Sequence, residues 1–245
     1  RILSSAASDV YKRQTQHLLA TGARVTAIEL DDAPVLHLDE IFREEQHSKQ
    51  FTLHHDDALI PSWPDDITKV VANIPYQISS PIIEKLTRHR KEHPNVLTHV
   101  VLMVQLEFGQ RLSMKHPADV GSLGMTVALD WDVEEHHIVA PHYFSPQPAV
   151  QSQVIELRPH GREFHVDKRL IRQMIHLAFN QRRKKIRSTF KRAPRRLSRI
   201  KGWHTQRWKE AMESIQELEM LNARPEELTL DDWIELARKV EKGSM

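Results

Sequence analysis

The chain has 245 residues, of which 40% are hydrophobic and 28% charged, and its formal net charge is +2. That apolar content suits one large packed domain, or a medium domain plus a small one. There is no cysteine, which excludes disulfides, thiolate zinc sites and a cysteine nucleophile, and fits a reducing cytoplasm.

No apolar run approaches the roughly 20 residues of a membrane span. The opening "RILSSAASDVYKRQ" has no apolar core segment, so no secretory signal is expected. "TQHLLATG" reads as the tail of a helix closed by Gly22. "ARVTAIELDD" predicts a short buried strand from Val25 to Leu30 with acidic residues at its end. "APVLHLDEIFREEQ" is helical in pattern. "FTLHHDDAL" and "ITKVVANIPY" predict a second and a third strand. "SSPIIEKLTRHRKEH" starts a helix, with Ser79 or Ser80 as N-cap and Pro81 in its first turn. "VLTHVVLMVQ" is a fourth strand and "LEFGQRLSMK" is helical. "GMTVALDWDVEEHHIV" and "AVQSQVIELRP" alternate as later strands. Strands separated by helices predict an α/β fold, a mostly parallel sheet with helices on both faces.

Around residues 159–161 the texture changes, and only helical patterns follow. "DKRLIRQMIHLAFNQRRKKIRSTFKR" places apolar residues at Leu170, Met174, Leu177, Ala178, Ile186 and Phe190. In "ELTLDDWIELARKVEK", Thr229 is the expected N-cap, and Asp231 and Asp232 suit the positive end of the helix. A small all-α domain is expected over 161–245, after an α/β domain over 15–160.

In open α/β sheets ligands sit at the carboxyl ends of the strands. Three strand ends carry suggestive groups. Glu29 could accept both hydroxyls of a ribose, and Asp57 could accept from the exocyclic amine of an adenine. Either residue alone would more often be a solvated turn carboxylate. The third end carries Asn73, Ile74, Pro75 and Tyr76. An adenine amine is a poor nucleophile because its lone pair is delocalised into the ring. Acceptors from the Asn73 side chain and the Ile74 main chain would localise that pair. Pro75 cannot donate and stiffens the loop. Tyr76 offers a face on which a base can stack, worth about 1–3 kcal/mol. With a cationic methyl donor no strong base is needed, and catalysis becomes placement and electrostatics.

"NIPYQISSPIIEKL" resembles the acceptor motif of the ribosomal-RNA adenine N6-dimethyltransferases. "MVQLEFGQRL", "HYFSPQPAVQSQVIELRPH", "LAFNQRRKKIRSTFK" and "RPEELTLDDWIELARKV" resemble further segments of that family. The likeness spans about residues 15 to 240. It implies a Rossmann-like S-adenosylmethionine-dependent methyltransferase sheet. It also implies dimethylation of two adjacent adenosines in a 3′-terminal hairpin loop of small-subunit rRNA, during ribosome biogenesis in the cytoplasm. By the same resemblance Glu29 binds the donor's ribose, Asp57 its adenine amine, and Asn73 the target amine near the donor. Tyr76 and Phe144 would sandwich the target base, which must leave its stack. Phe144 taken alone could equally be core.

The stretch 182–201 holds eleven Lys/Arg and no acid, which favours phosphate contacts over a merely solvated face. Arg182, Arg183, Lys184, Lys185, Arg187, Lys191 and Arg192 are the expected RNA-binding residues. The sixteen histidines lack a ligand spacing, so no metal site is expected, and nothing suggests more than a monomer.

The chain departs from the family at its start. The family's glycine-rich loop should lie just before "TQHLLATG", but residues 1–14 contain no glycine. Only glycine lets main-chain amides approach a donor closely. Residues 1–14 are therefore expected to be foreign or misassembled, with the first strand and its loop missing, donor binding impaired and a sheet edge unpaired. Three competing readings remain. A DNA adenine methyltransferase is disfavoured by the basic helical tail. A non-catalytic RNA-binding or ribosome-assembly factor is favoured by the absent glycines. A large-subunit rRNA methyltransferase is a minor variant.

Overall fold

The structure, a computed structural model, describes residues 2–5, 9–60 and 62–243. The chain divides into two compact units, residues 1–109 with 131–159, and residues 110–130 with 160–245.

The first unit is built on a seven-stranded sheet. Its strands are β1 (Ile2–Ser5), β2 (Val25–Glu29), β3 (Phe51–His55), β4 (Lys69–Asn73), β5 (His99–Gln105), β6 (Trp131–Val139) and β7 (Ser152–Pro159). They lie in the order β3-β2-β1-β4-β5-β7-β6. The pairs among β3, β2, β1, β4 and β5 are parallel, and β7 runs antiparallel to both of its neighbours. Every residue of β2 is buried, as a parallel strand covered on both faces requires. β5 alternates between half-buried and buried positions.

The helices of this unit are α1 (Asp9–Ala20), α2 (Asp32–Ile41), α3 (Arg43–His47), α4 (Ser79–Glu92) and the first half of α5 (Leu106–Ser113). The chain steps outward from β1 through β2 to β3, then returns to β4 and steps the other way. Right-handed crossovers therefore put α1 and α2 on one face of the sheet and α4 on the other. Leu19, Val25, Ala27, Leu38, Phe42 and Phe51 close the core on the first of these faces. Gly22, at φ +80°, ends α1, because a left-handed residue there suits glycine.

Two local expectations need correction. A missing first strand and an unpaired edge were expected, yet Ile2–Ser5 fills the centre of the sheet, between β2 and β4. The physical reason is that β2 and β4 both turn backbone donors and acceptors toward this slot, and buried main-chain groups must be paired. Residues 6–8, where the glycine-free loop falls, lie outside the described residues. The second correction is at 124–127, read as the start of a strand from its alternating apolar residues, which belongs to helix α6 (Ser122–Val127). Gly124 explains it. A Cβ there would sit 2.5 Å from the Arg111 carbonyl oxygen, so glycine lets α6 pack hard against the end of α5.

The second unit is helical. Besides α6 it contains α7 (Lys168–Phe179), α8 (Ile186–Thr189), α9 (Thr205–Ser214) and α10 (Leu230–Lys242). Leu170, Met174, Ala178, Ile186 and Phe190 are buried together with Trp208 and Trp233, while Leu177 packs partly buried against them. The unit recruits Met125 and Leu129 to this core, which is why residues 110–130 belong with the C-terminal helices. Thr229 caps α10 as expected. Its hydroxyl accepts from the Asp232 N–H, and the Asp232 carboxylate accepts from the Thr229 N–H, at 3.2 and 2.9 Å.

Candidate active site

The strand order reverses between β1 and β4, the switch point at which open α/β sheets bind ligands. Glu29 ends β2 on one side of that point and Asn73 ends β4 on the other. Glu29 is 8% exposed. Its Oε1 accepts from the Leu30 and Asp31 N–H groups at 2.9 and 3.4 Å, which fixes the carboxylate at the strand tip. The Glu29 carbonyl accepts from the Asp56 N–H at 2.9 Å. This bond ties the tip of β2 to the turn after β3.

Asp57 lies in that turn, half-buried. Its Oδ1 accepts from the Leu59 N–H at 2.8 Å, an Asx-type turn that orients the carboxyl group. Behind it the Trp63 indole N–H donates to the Ala58 carbonyl at 3.1 Å, and the Lys85 ammonium lies 4.9 Å from the Trp63 ring centre. Burial pulls the Lys85 pKa below the ordinary lysine value, against the opposing pull of Asp57.

Asn73 is half-buried, and its side-chain amide has no hydrogen-bond partner among the described residues. Its carbonyl oxygen is thus available to an incoming donor. Ile74 is buried at 3% exposure and anchors the loop, and Pro75 is exposed. Tyr76 opens a short 3-10 turn over Tyr76–Ile78, and its hydroxyl lies 2.6 Å from Ser152 Oγ. Helix α4 follows directly. The expected serine cap is absent, because the helix starts at Ser79 with Ile78 before it and no side-chain cap bond. The 3-10 turn runs straight into the helix and leaves no extended residue to act as N-cap. Phe144 is half-buried and follows the turn Pro141–Tyr143, with a cis Ser145–Pro146 bond after it.

The basic stretch 182–201 belongs to the helical unit. All eleven of its cations are exposed, whereas Ile186, Phe190, Leu197 and Ile200 are buried. The apolar residues pin the segment and the charges face water. Arg182 pairs with Glu226 at 3.4 Å. Arg183, Lys184, Lys185, Arg187, Lys191 and Arg192 have no carboxylate partner among the described residues.

The family profile described as ribosomal RNA adenine dimethylase matches residues 12–222. The chain belongs to the ribosomal RNA adenine dimethylase family. It is 34% identical over 242 residues to ribosomal RNA small subunit methyltransferase A of Synechocystis, covering 91% of this chain and 78% of the relative. It is 33% identical over 233 residues to a probable ribosomal RNA small subunit methyltransferase A of Methanospirillum hungatei, covering 92% and 84%. Among solved structures, a dimethyladenosine transferase from Plasmodium falciparum superimposes with TM-score 0.79 at 22% identity, covering 100% of this chain and 90% of that one. The 23S rRNA methyltransferase ErmE gives TM-score 0.61 at 22% identity, covering 98% and 90%. These two likenesses show the Rossmann-like methyltransferase fold with its helical C-terminal part.

Two features of this adenine dimethylase were not legible in the sequence. One is the bond from Tyr76 to Ser152, the serine that ends the "FSPQPAVQS" segment. The other is a polar cluster on the antiparallel side of the sheet, where Glu134, His136 and Glu156 bring ligand atoms within 4.8 Å of one another. Glu134 lies opposite Glu156 in the ladder, and His136 follows two residues later on the same strand. These are donor types that could hold an ion. The Arg158 guanidinium, however, already forks onto both Glu156 oxygens at 2.7 and 2.9 Å. That fork, outweighing the effect of burial and helped by His136, holds the Glu156 carboxyl below the usual carboxylate range.

Proposed function

We propose that this adenine dimethylase transfers methyl groups from S-adenosylmethionine to N6 of two adjacent adenosines in a 3′-terminal hairpin loop of small-subunit rRNA, two on each. The observation that carries the reading is the Asn73–Tyr76 loop at the switch point, its amide unpartnered, in a chain of this family. The small-subunit names of the Synechocystis and Methanospirillum relatives support that substrate over large-subunit rRNA. The chain would act as a monomer in the cytoplasm, on free rRNA or an assembling small subunit.

The residues divide the work. Glu29 and Asp57 fit the adenosine half of the donor, as a fixed carboxylate at one strand tip and a turn carboxylate at the next. The donor, when bound, supplies an electrophilic methyl on a cationic sulfur. Asn73 and the Ile74 carbonyl accept from the target amine and direct its lone pair away from the ring. Tyr76 and Phe144 hold the extruded base by its faces. The nitrogen gains the methyl, the sulfur keeps the electron pair of the broken S–C bond, and the N6 proton leaves to water. Asn73 needs no basicity for this. Arg183, Lys184, Lys185, Arg187, Lys191 and Arg192, with Arg182 beside them, contact phosphates.

A second reading is favoured by one observation, the absence of glycine from residues 1–14. Under it the chain binds rRNA through its cations without methylating it. Two experiments separate the readings. Calorimetry with S-adenosylmethionine, on this chain and on one given a glycine-rich loop, reports donor binding. Nucleoside mass spectrometry of unmethylated small-subunit rRNA, after incubation with enzyme and donor, reports dimethyladenosine. Donor binding with product supports the enzyme; RNA binding without either supports the assembly factor.

A further inference from the structure

We propose that Ser152 is a positioning residue for the target base, acting through the hydroxyl of Tyr76. The inference rests on the reading above, in which Tyr76 is one wall of the base slot.

Tyr76 sits on a three-residue turn and is only half-buried. The hydroxyl at the far end of the ring is held by a partner, and that bond restrains the angle of the ring. That partner is Ser152 Oγ, at 2.6 Å and 76 residues away in sequence. Ser152 is 0% exposed, and burying a hydroxyl is unfavourable unless it is bonded. The residue is also rigidly placed. It opens β7 and pairs with Gln105 of β5 on one side and Val139 of β6 on the other. The segment that feeds β7 carries Phe144. One hydrogen bond therefore links the acceptor loop to the strand that brings in the opposite wall, and it sets the angle of the Tyr76 face.

A stacked base whose amine must lie in line with a methyl group tolerates little rotation. Ser152 bonds Tyr76, whereas the Glu29 and Asp57 side chains bond main-chain N–H groups of their own turns. Loss of Ser152 should reduce turnover and leave donor and RNA affinity alone.

The test compares Ser152→Ala, Tyr76→Phe, the double variant and Tyr76→Ala. Readouts are kcat and KM for methyl transfer to rRNA, donor affinity by calorimetry, and fluorescence of 2-aminopurine at the target position. Removing one neutral hydrogen bond predicts about a fivefold fall in kcat for each of the first two variants. Because both remove the same bond, the double variant should also lose about fivefold rather than about 25-fold. KM and donor affinity should stay at wild-type values, and the 2-aminopurine signal should report a less ordered base. Wild-type kcat in Ser152→Ala, or multiplicative losses in the double variant, overturns the proposal. Should Ser152→Ala not fold, Tyr76→Phe still removes the bond from its more exposed side, and full activity there overturns it equally. Full activity in Tyr76→Ala would instead overturn the base-slot reading, a distinct failure.

Discussion

Consider Arg187, Lys191 and Arg192 replaced together by Ala. All three are exposed and lack a carboxylate partner among the described residues. Ile186 and Phe190, which hold the same segment in the helical core, are 0% and 1% exposed. The substitutions therefore remove charge and leave the anchoring side chains in place. Arg182 is left out because it pairs with Glu226. Each phosphate contact contributes roughly 0.7 to the logarithmic salt slope on single strands and roughly 0.9 on duplex. Losing three contacts lowers the slope by about 2.1 to 2.7. Across a fourfold rise in salt, wild-type affinity should then fall about 20- to 40-fold further than that of the variant. Fluorescence anisotropy of a labelled rRNA hairpin, titrated from low to moderate salt, measures this. Parallel slopes for a folded variant would refute phosphate contact by these residues and return the run to a solvated surface.

Three further outcomes are expected. Gly124→Ala should lower the thermal midpoint, because its Cβ would lie 2.4 Å from Met114 Cγ and 2.5 Å from the Arg111 carbonyl oxygen, an overpacking cost of about 1–3 kcal/mol. Thr229→Ala removes the α10 cap and should lower stability by about 1 kcal/mol in a denaturant titration. Glu156 has a folded pKa below its ordinary value, so its stabilisation is present above the unfolded value and lost as pH falls through the folded one. Thermal midpoints on the acid side of the carboxylate range should accordingly drop less steeply in Glu156→Gln than in the wild type.

The sequence revealed those elements whose pattern is decided locally. β2 reads as a strand because a short, mainly apolar run ends in acidic residues, and the structure buries all five of its residues. α7 and α10 read as helices because their apolar residues recur at one face, and Thr229 announces the cap. β1 could not be read this way. "ILSS" carries too little pattern for any period, and it becomes a strand because both neighbours require a partner. α6 was misread because Met125, Val127 and Leu129 alternate like strand residues, while the close approach permitted by Gly124 is invisible without the facing helix. Glu29, Asp57 and Asn73 could be singled out as candidates because they fall at or just after the ends of strand runs. The bond from Tyr76 to Ser152 could not be read, since a serine at the start of a strand carries no signal of a tyrosine 76 residues away.

The antiparallel strand also accounts for why the site has two sides. Parallel strands reach the carboxyl edge of a sheet only with their ends, so β2 and β4 deliver Glu29 and Asn73 and then leave. β7 runs the other way, and its first residue, Ser152, lies opposite Gln105 at the end of β5. The chain must therefore arrive at the same edge before β7 can begin. The arriving segment is the one with Phe144, between the Pro141–Tyr143 turn and Ser152. Reversing one strand thus places an entering loop beside the leaving loops, which is the arrangement the proposed base slot requires. A parallel strand in that position would start at the far edge, and both Phe144 and the partner of Tyr76 would lie away from this edge.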